Sequence, residues 1–395
     1  MVGTFALEGC KYQITTSSSR NLPRTLGKKF GSSAICKDPT LCNRPLSTST
    51  ACTSSKGKSV FFGSNCNYKR RSPGTFCESF HTRLPIMVSA SNSTSQAVIP
   101  LLRNLLSGIV KPYLEKNPTA VTALQLIRKE DPGPVCYDHF AFRTFGVDGC
   151  GIDSIAQVFL DLGYKTRDEL RFPAKKLRAL WFSPPEHLYG VAGELENGPV
   201  PRIFISELLV DQLSEKSQSI IRKYTKDATQ CARHAAAASV LNSLTWPTPS
   251  FADYQHLASE SEYAAWTLVN GYSLNHATVS VHRLSQMCHI SKLNEFLQEH
   301  GIKLNSEGGI TKVSPDGGLQ QSSSVADSVQ YAFADGEVKK VPGSYIEFAE
   351  RLVLPVFSSL SDEQIQECHR REGFEVGNAD KIFESTSSDQ MSLKG

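Results

Sequence analysis

Apolar residues fall at helical spacing along Val98, Ile99, Leu102, Leu105, Leu106, Ile109 and Val110, which predicts a helix over about 97–115. Pro100 suits its first turn, so the pattern places the start near Ile99. Asn117-Pro118 then reads as an N-cap followed by proline at the first helical position, opening a helix to about Lys129. Asp131-Pro-Gly-Pro134 breaks it and delivers the chain into a short apolar strand, Tyr137-Asp-His-Phe-Ala-Phe-Arg-Thr-Phe145. Gly149-Cys-Gly-Ile-Asp153 caps a helix over 154–162 that Gly163 ends. Strands are expected at 164–172, 177–183 and 201–210. Together these make a β-α-β-β-β unit at about 136–210.

Some sixty mainly helical residues follow (211–272), including alanine-rich 231–244 and a helix over 253–270. The pattern then returns at about 273–354. Leu274-Asn-His-Ala-Thr-Val-Ser-Val281 reads as a strand, 291–300 as a helix closed by Gly301, and 309–313, 325–334 and 344–353 as strands. Ser306–Ser324, rich in Gly and Ser, is left as a lid or a long turn. His139 lies 68 residues before Glu207, and His276 lies 71 before Glu347, each pair spanning the first and last strands of its unit. The expected fold is therefore α+β: two βαβββ units forming a curled sheet around a metal cleft, with helical insertions. A C-terminal segment, 355–395, completes a catalytic domain at 91–395.

Charge divides the chain differently. Of the overall +3, the first ninety residues carry +10, with thirteen Lys and Arg against only Glu8, Asp38 and Glu78, so the remainder is −7. The basic segment is dense in Ser and Thr, the composition of an organelle transit peptide, and its length and Ser content favour a plastid. A mildly acidic body gives no reason to expect nucleic acid, and no apolar run approaches the ~20 residues of a membrane span. Six cysteines lie in the basic segment. Cys136, Cys150, Cys231, Cys288 and Cys368 form no C-x-x-C pair and are odd in number, which points to reduced thiols.

On the strand at Tyr137–Phe145, alternation puts His139, Ala141 and Arg143 on one face and Asp138, Phe140 and Phe142 on the other. Taken alone, such a stretch is a core strand with a satisfied histidine and a paired arginine. The second unit changes this, because His276 and Glu347 give His139 partners at matching positions. Two imidazoles and one carboxylate leave three coordination positions, a set that suits Fe(II) binding a bidentate substrate together with O₂; zinc more often closes its tetrahedron. His139, His276, Glu347 and Glu207 compete for three places. Glu347 precedes Arg351 on its own strand face and Glu207 has no such partner, so Glu207 is held in reserve. His282 shares a face with His276 but is about 20 Å further along.

These motifs, His139-x-x-x-Arg143, Asn275-His276 and Tyr345-Ile-Glu347-Phe-x-x-Arg351, resemble those of the hydroxyglutarate synthase (2-oxoadipate dioxygenase/decarboxylase) family over residues 92–386. The family sits in the vicinal-oxygen-chelate superfamily, and the plastid-targeted plant members of floury-endosperm type are the nearest in pattern. The resemblance implies a non-haem Fe(II) enzyme converting 2-oxoadipate and O₂ to 2-hydroxyglutarate and CO₂ in lysine breakdown. It places the metal ligands on His139, His276 and Glu347 and the substrate-gripping arginine on Arg143. A Val-Ser pair that contacts substrate in bacterial members falls on Val376-Gly377, where glycine offers backbone only. Two other classes stay open: a non-catalytic scaffold or regulatory protein of plastid starch metabolism, and an O₂-independent metal isomerase or lyase on the same fold. Aerobic CO₂ release separates them.

Overall fold

The computed structural model describes residues 93–189 and 193–392. The basic N-terminal segment, with its expected transit role and six cysteines, lies outside the described residues. Two helices lead in, α1 (Ser93–Lys116) and α2 (Pro118–Glu130). α1 starts six residues earlier than Ile99 and runs through both Pro100 and Pro112. Each proline removes one helical N–H, but Leu102, Leu106, Ile109 and Tyr113 are buried from the same helix, and that packing outweighs the lost bonds. Asn117 caps α2 as its sequence requires, its side chain accepting from the Ala120 N–H.

The first unit follows as β1 (Tyr137–Phe145), α3 (Ile152–Asp161), β2 (Lys165–Phe172), β3 (Leu177–Ser183) and β4 (Arg202–Leu208). The insertion comprises α4 (Glu215–Tyr224), α5 (Ala228–Leu241), α6 (Phe251–Glu260) and α7 (Glu262–Asn270). The single helix expected over 253–270 is thus two. Ser261, in extended conformation, ends α6 and caps α7 by accepting from the Ala264 N–H.

The second unit contains β5 (His276–Ser280), α8 (Ile290–Glu299), β6 (Lys312–Val313), β7 (Leu319–Ser323), β8 (Ser328–Ala332), β9 (Val338–Pro342) and β10 (Tyr345–Arg351). The expected strand over 325–334 is not the sheet member. That place goes to β7, inside the Gly/Ser-rich stretch, while β8 and β9 form a separate hairpin. α9 (Val376–Ile382) belongs to the C-terminal segment. Among the described residues no helix is long and apolar enough to cross a membrane.

The eight-stranded sheet has the order β2-β3-β4-β1-β5-β10-β7-β6. Its centre is the antiparallel pair β1–β5, with His139 opposite Thr278 and Ala141 opposite His276. β1 runs parallel to β4 with His139 opposite Arg202, and β5 runs parallel to β10 with His276 opposite Tyr345. These registers make His139 and His276 equivalent positions of the duplicated unit. They also correct the glutamate count. Glu207 and Glu350 are the equivalent pair, each five positions beyond its histidine's partner, and Glu347 is equivalent to Phe204. The hydrogen bonds agree with the match: Glu207 accepts from the Ile152 N–H at the start of α3, and Glu350 from the Ile290 N–H at the start of α8. Each carboxylate meets an orphan helix donor and the positive end of its dipole.

Candidate active site

β1, β5 and β10 lie side by side and carry His139, His276 and Glu347 into one buried spot. One donor atom from each lies within 4.8 Å of the others. Glu347 spreads its oxygens between the imidazoles, Oε2 at 3.1 Å from His276 Nε2 and Oε1 at 3.7 Å from His139 Nε2. The ring centroids are 5.4 Å apart and nearly perpendicular. All three candidates expected from sequence are brought together here.

Each donor is held from behind. His139 Nδ1 is 2.9 Å from Asp138 Oδ2, and His276 Nδ1 is 2.9 Å from Asn275 Oδ1. With both acceptors occupied by Nδ1–H, Nε2 of each ring is unprotonated and faces the site, where the Thr278 hydroxyl lies 3.0 Å from that of His139. Gln321 Nε2 donates to Glu347 Oε1 at 2.6 Å, and Asn378 Nδ2 donates to Gln321 Oε1 at 3.1 Å. Burial lowers the His276 pKa against the opposing pull of Glu347, which favours the neutral, ligating form. Burial pushes the Glu347 carboxyl up, but its interactions with the His139 and His276 rings and the bond from Gln321 outweigh it, so its pKa is lowered. Two neutral imidazoles and one carboxylate with fixed tautomers fit a divalent transition metal.

Sequence reasoning sent Asp138 to the opposite face. A β-bulge between Tyr137 and His139 re-aims it toward its neighbour. Asp138 also anchors Arg351, whose Nε and Nη2 donate to it at 2.6 and 2.9 Å, and Arg202, whose Nη1 does so at 3.1 Å. Arg351 therefore serves His139 through Asp138 instead of pairing with Glu347. Burial raises the Asp138 carboxyl, yet Arg351, Arg202 and His139 together hold it well below the usual carboxylate range.

Glu207, the reserve ligand, is committed elsewhere: besides capping α3 it pairs with Arg178 at 2.7 Å. His282 bonds Glu367 from a short helical turn. His187 lines a separate cavity beside Pro185.

Arg143 is fully buried. Its guanidinium lies 5.0 Å from the Tyr263 ring, 5.1 Å from Trp266 and 5.7 Å from Phe383. Nη1 donates to Thr386 Oγ1 at 3.1 Å, Nη2 to the Phe383 carbonyl at 3.4 Å, and Nε has no partner. Among the described residues no carboxylate pairs with it within salt-bridge distance. Val376 and Gly377 are not brought to the site. Val376 is exposed, and a side chain at Gly377 would meet nothing within 4 Å. One helical turn later Ala379, Ile382 and Phe383 face the triad, and the C-terminal hydroxyl that reaches Arg143 is that of Thr386. Gln321 and Thr386 escaped sequence reasoning. The Asp316-Gly317 hairpin signal before β7 was the available clue to the first.

A duplicated βαβββ sheet with a buried metal-competent triad at its centre defines a class of enzyme, and residues 96–360 match the family described as 2-oxoadipate dioxygenase/decarboxylase. The chain belongs to that family. The chloroplastic 2-oxoadipate dioxygenase/decarboxylase of Arabidopsis thaliana is 58% identical over 308 residues, 78% of this chain and 83% of that protein. The chloroplastic/amyloplastic enzyme of Oryza sativa subsp. japonica is 61% identical over 293 residues, 74% of this chain and 80% of the relative. The crystal structure of hydroxyglutarate synthase from Oryza sativa in complex with 2-oxoadipate superposes with a TM-score of 0.73 at 59% identity, covering 75% of this chain and 95% of that one.

Proposed function

We propose that this protein is an Fe(II)-dependent dioxygenase that converts 2-oxoadipate and O₂ to 2-hydroxyglutarate and CO₂ in plastids, within lysine catabolism. The observation that carries this is the convergence of His139, His276 and Glu347 near a buried arginine that forms no salt bridge among the described residues. The names of the two plant relatives support the substrate and the compartment, and the basic first ninety residues are the transit segment.

His139, His276 and Glu347 would hold the metal. When bound there, Fe(II) supplies the redox chemistry that dioxygen requires, and three protein donors leave room for a chelating 2-oxo acid. The protein supplies orientation. Asp138 and Asn275 fix the imidazole tautomers, and Gln321 fixes the Glu347 carboxylate. Arg143 takes the distal carboxylate of the substrate with charge-assisted hydrogen bonds. Phe204, Phe374 and Phe383 wall the triad and exclude water.

The test is O₂ uptake and CO₂ release by the protein with Fe(II) and 2-oxoadipate. Equal consumption of O₂ and release of CO₂, with none under nitrogen, is expected. Turnover without O₂ means an isomerase or lyase, and no turnover at all means a scaffold; either refutes the proposal.

A further inference from the structure

Two cavities share one wall, and that wall is Phe383. The first, about 210 Å³, is lined by Arg143, Tyr263, Phe383 and Thr386, with Lys175 and Lys176 at its edge paired to Glu384 and Glu260. The second, about 20 Å³, lies at His139, His276 and Glu347 and is closed by Phe374, Ile382 and Phe383. Twenty cubic ångströms hold roughly one water, so a six-carbon diacid cannot sit against the triad with the ring where it is. The chamber next door is roomy enough, but it faces the arginine instead of the triad.

Arg143 Nε, beside the first cavity, is buried without a well-formed hydrogen bond, and so is the Tyr345 hydroxyl, which interacts with the same arginine. Tyr345 in turn stacks on His276 with ring centroids 4.7 Å apart. The partition itself is built to move at the side chain. Phe383 follows the last turn of α9, and its carbonyl is held by Arg143 Nη2 and Thr386 Oγ1. Its ring meets Phe172 and Tyr263 edge-on, with centroids at 5.2 and 6.4 Å, and lies 5.7 Å from the Arg143 guanidinium. Opening the partition thus requires a change of the Phe383 side-chain rotamer, with its carbonyl still held.

We propose that Phe383 is the specificity-determining partition between the chamber at Arg143 and the metal-facing chamber. Displacing its ring joins the two, and the space it then leaves sets the length of diacid that spans triad and arginine. This rests on the function proposed above. A chain longer by one methylene meets the displaced ring, and one shorter fails to reach both ends.

The experiment compares wild type, Phe383→Leu and Phe383→Ala, each loaded with Fe(II). Dissociation constants for 2-oxoglutarate, 2-oxoadipate and 2-oxopimelate are measured by calorimetry under nitrogen, so the readout needs no turnover. Phe383→Ala should improve the affinity for 2-oxopimelate relative to 2-oxoadipate by about tenfold or more, with Phe383→Leu between. Metal stoichiometry should stay at the wild-type value. A ratio within about twofold of wild type in both variants overturns the partition. Failure of the functional reading shows separately, as absent turnover of 2-oxoadipate by the wild type.

Discussion

Asp138→Asn removes one charge and almost no volume from beneath two guanidiniums and an imidazole. Both of its oxygens are engaged: Oδ1 takes Arg351 Nε and Arg202 Nη1, while Oδ2 takes Arg351 Nη2 and His139 Nδ1. Asp138 and Arg351 have no exposed side-chain surface, and Arg202 has 5%. Unpairing a buried charge costs about 3–5 kcal/mol, because the partner stays desolvated. For a domain of this size that lowers the melting temperature by roughly 6–20 °C. Losing the carboxylate behind His139 should also weaken metal binding by about 10–100-fold. The pH dependence has a fixed sign. The folded carboxyl is depressed below its unfolded value, so its contribution is complete above about pH 4 and is lost as pH falls further. Scanning calorimetry of both proteins from neutral pH down to about 3, with an Fe(II) titration under nitrogen, provides the check. The difference should be constant at neutral pH and shrink below about 4. A variant that melts within about 2 °C of wild type and keeps its metal affinity refutes the role.

Three further outcomes follow from the same geometry. His139→Ala or His276→Ala should lose Fe(II), since two remaining donors hold it poorly; full stoichiometry by elemental analysis contradicts the triad. Arg143→Lys should raise KM for 2-oxoadipate by about 10–100-fold despite the retained charge, because an ammonium cannot reproduce the planar fork or its stacking on Tyr263 and Trp266; an unchanged KM removes Arg143 from substrate binding. Glu207→Gln should leave metal stoichiometry intact while costing about 1–3 kcal/mol in denaturant titration, as befits a helix cap paired with Arg178; loss of metal would restore Glu207 as a ligand.

The strand over Tyr137–Phe145 was legible to the residue, because its aromatic-rich nine-residue run lies between a Pro-Gly break and a glycine loop. The three triad members were legible too, since histidines at the start of each unit and a glutamate at the end of the second recur in sequence. Equivalence between the units was not. Ordinal counting paired Glu207 with Glu347, whereas the hydrogen-bond register pairs Glu207 with Glu350; loop lengths hide register from a linear count. β7 escaped because Leu319–Ser323 carries almost no apolar signal. Its Gln321, Ser322 and Ser323 are buried and satisfied by Glu347, Asn294 and Ser385, so the strand is held by polar partners that periodicity cannot reveal. Asp138 was misplaced for a local reason: strict alternation fails at a bulge.

The triad is drawn from distant parts of the chain. His139 and Glu347 are 208 positions apart, and the bond from Arg351 that steadies His139 through Asp138 spans 213. Arg143 meets Thr386 across 243. A chain still emerging from a ribosome thus has two of the three donors until β10 is made, and Arg143 waits for Thr386. If the triad holds the proposed metal, its uptake becomes a readout of completed folding: truncation before β10 should leave a protein unable to retain the ion, and the metal content of a preparation reports the fraction in which β1, β5 and β10 have met.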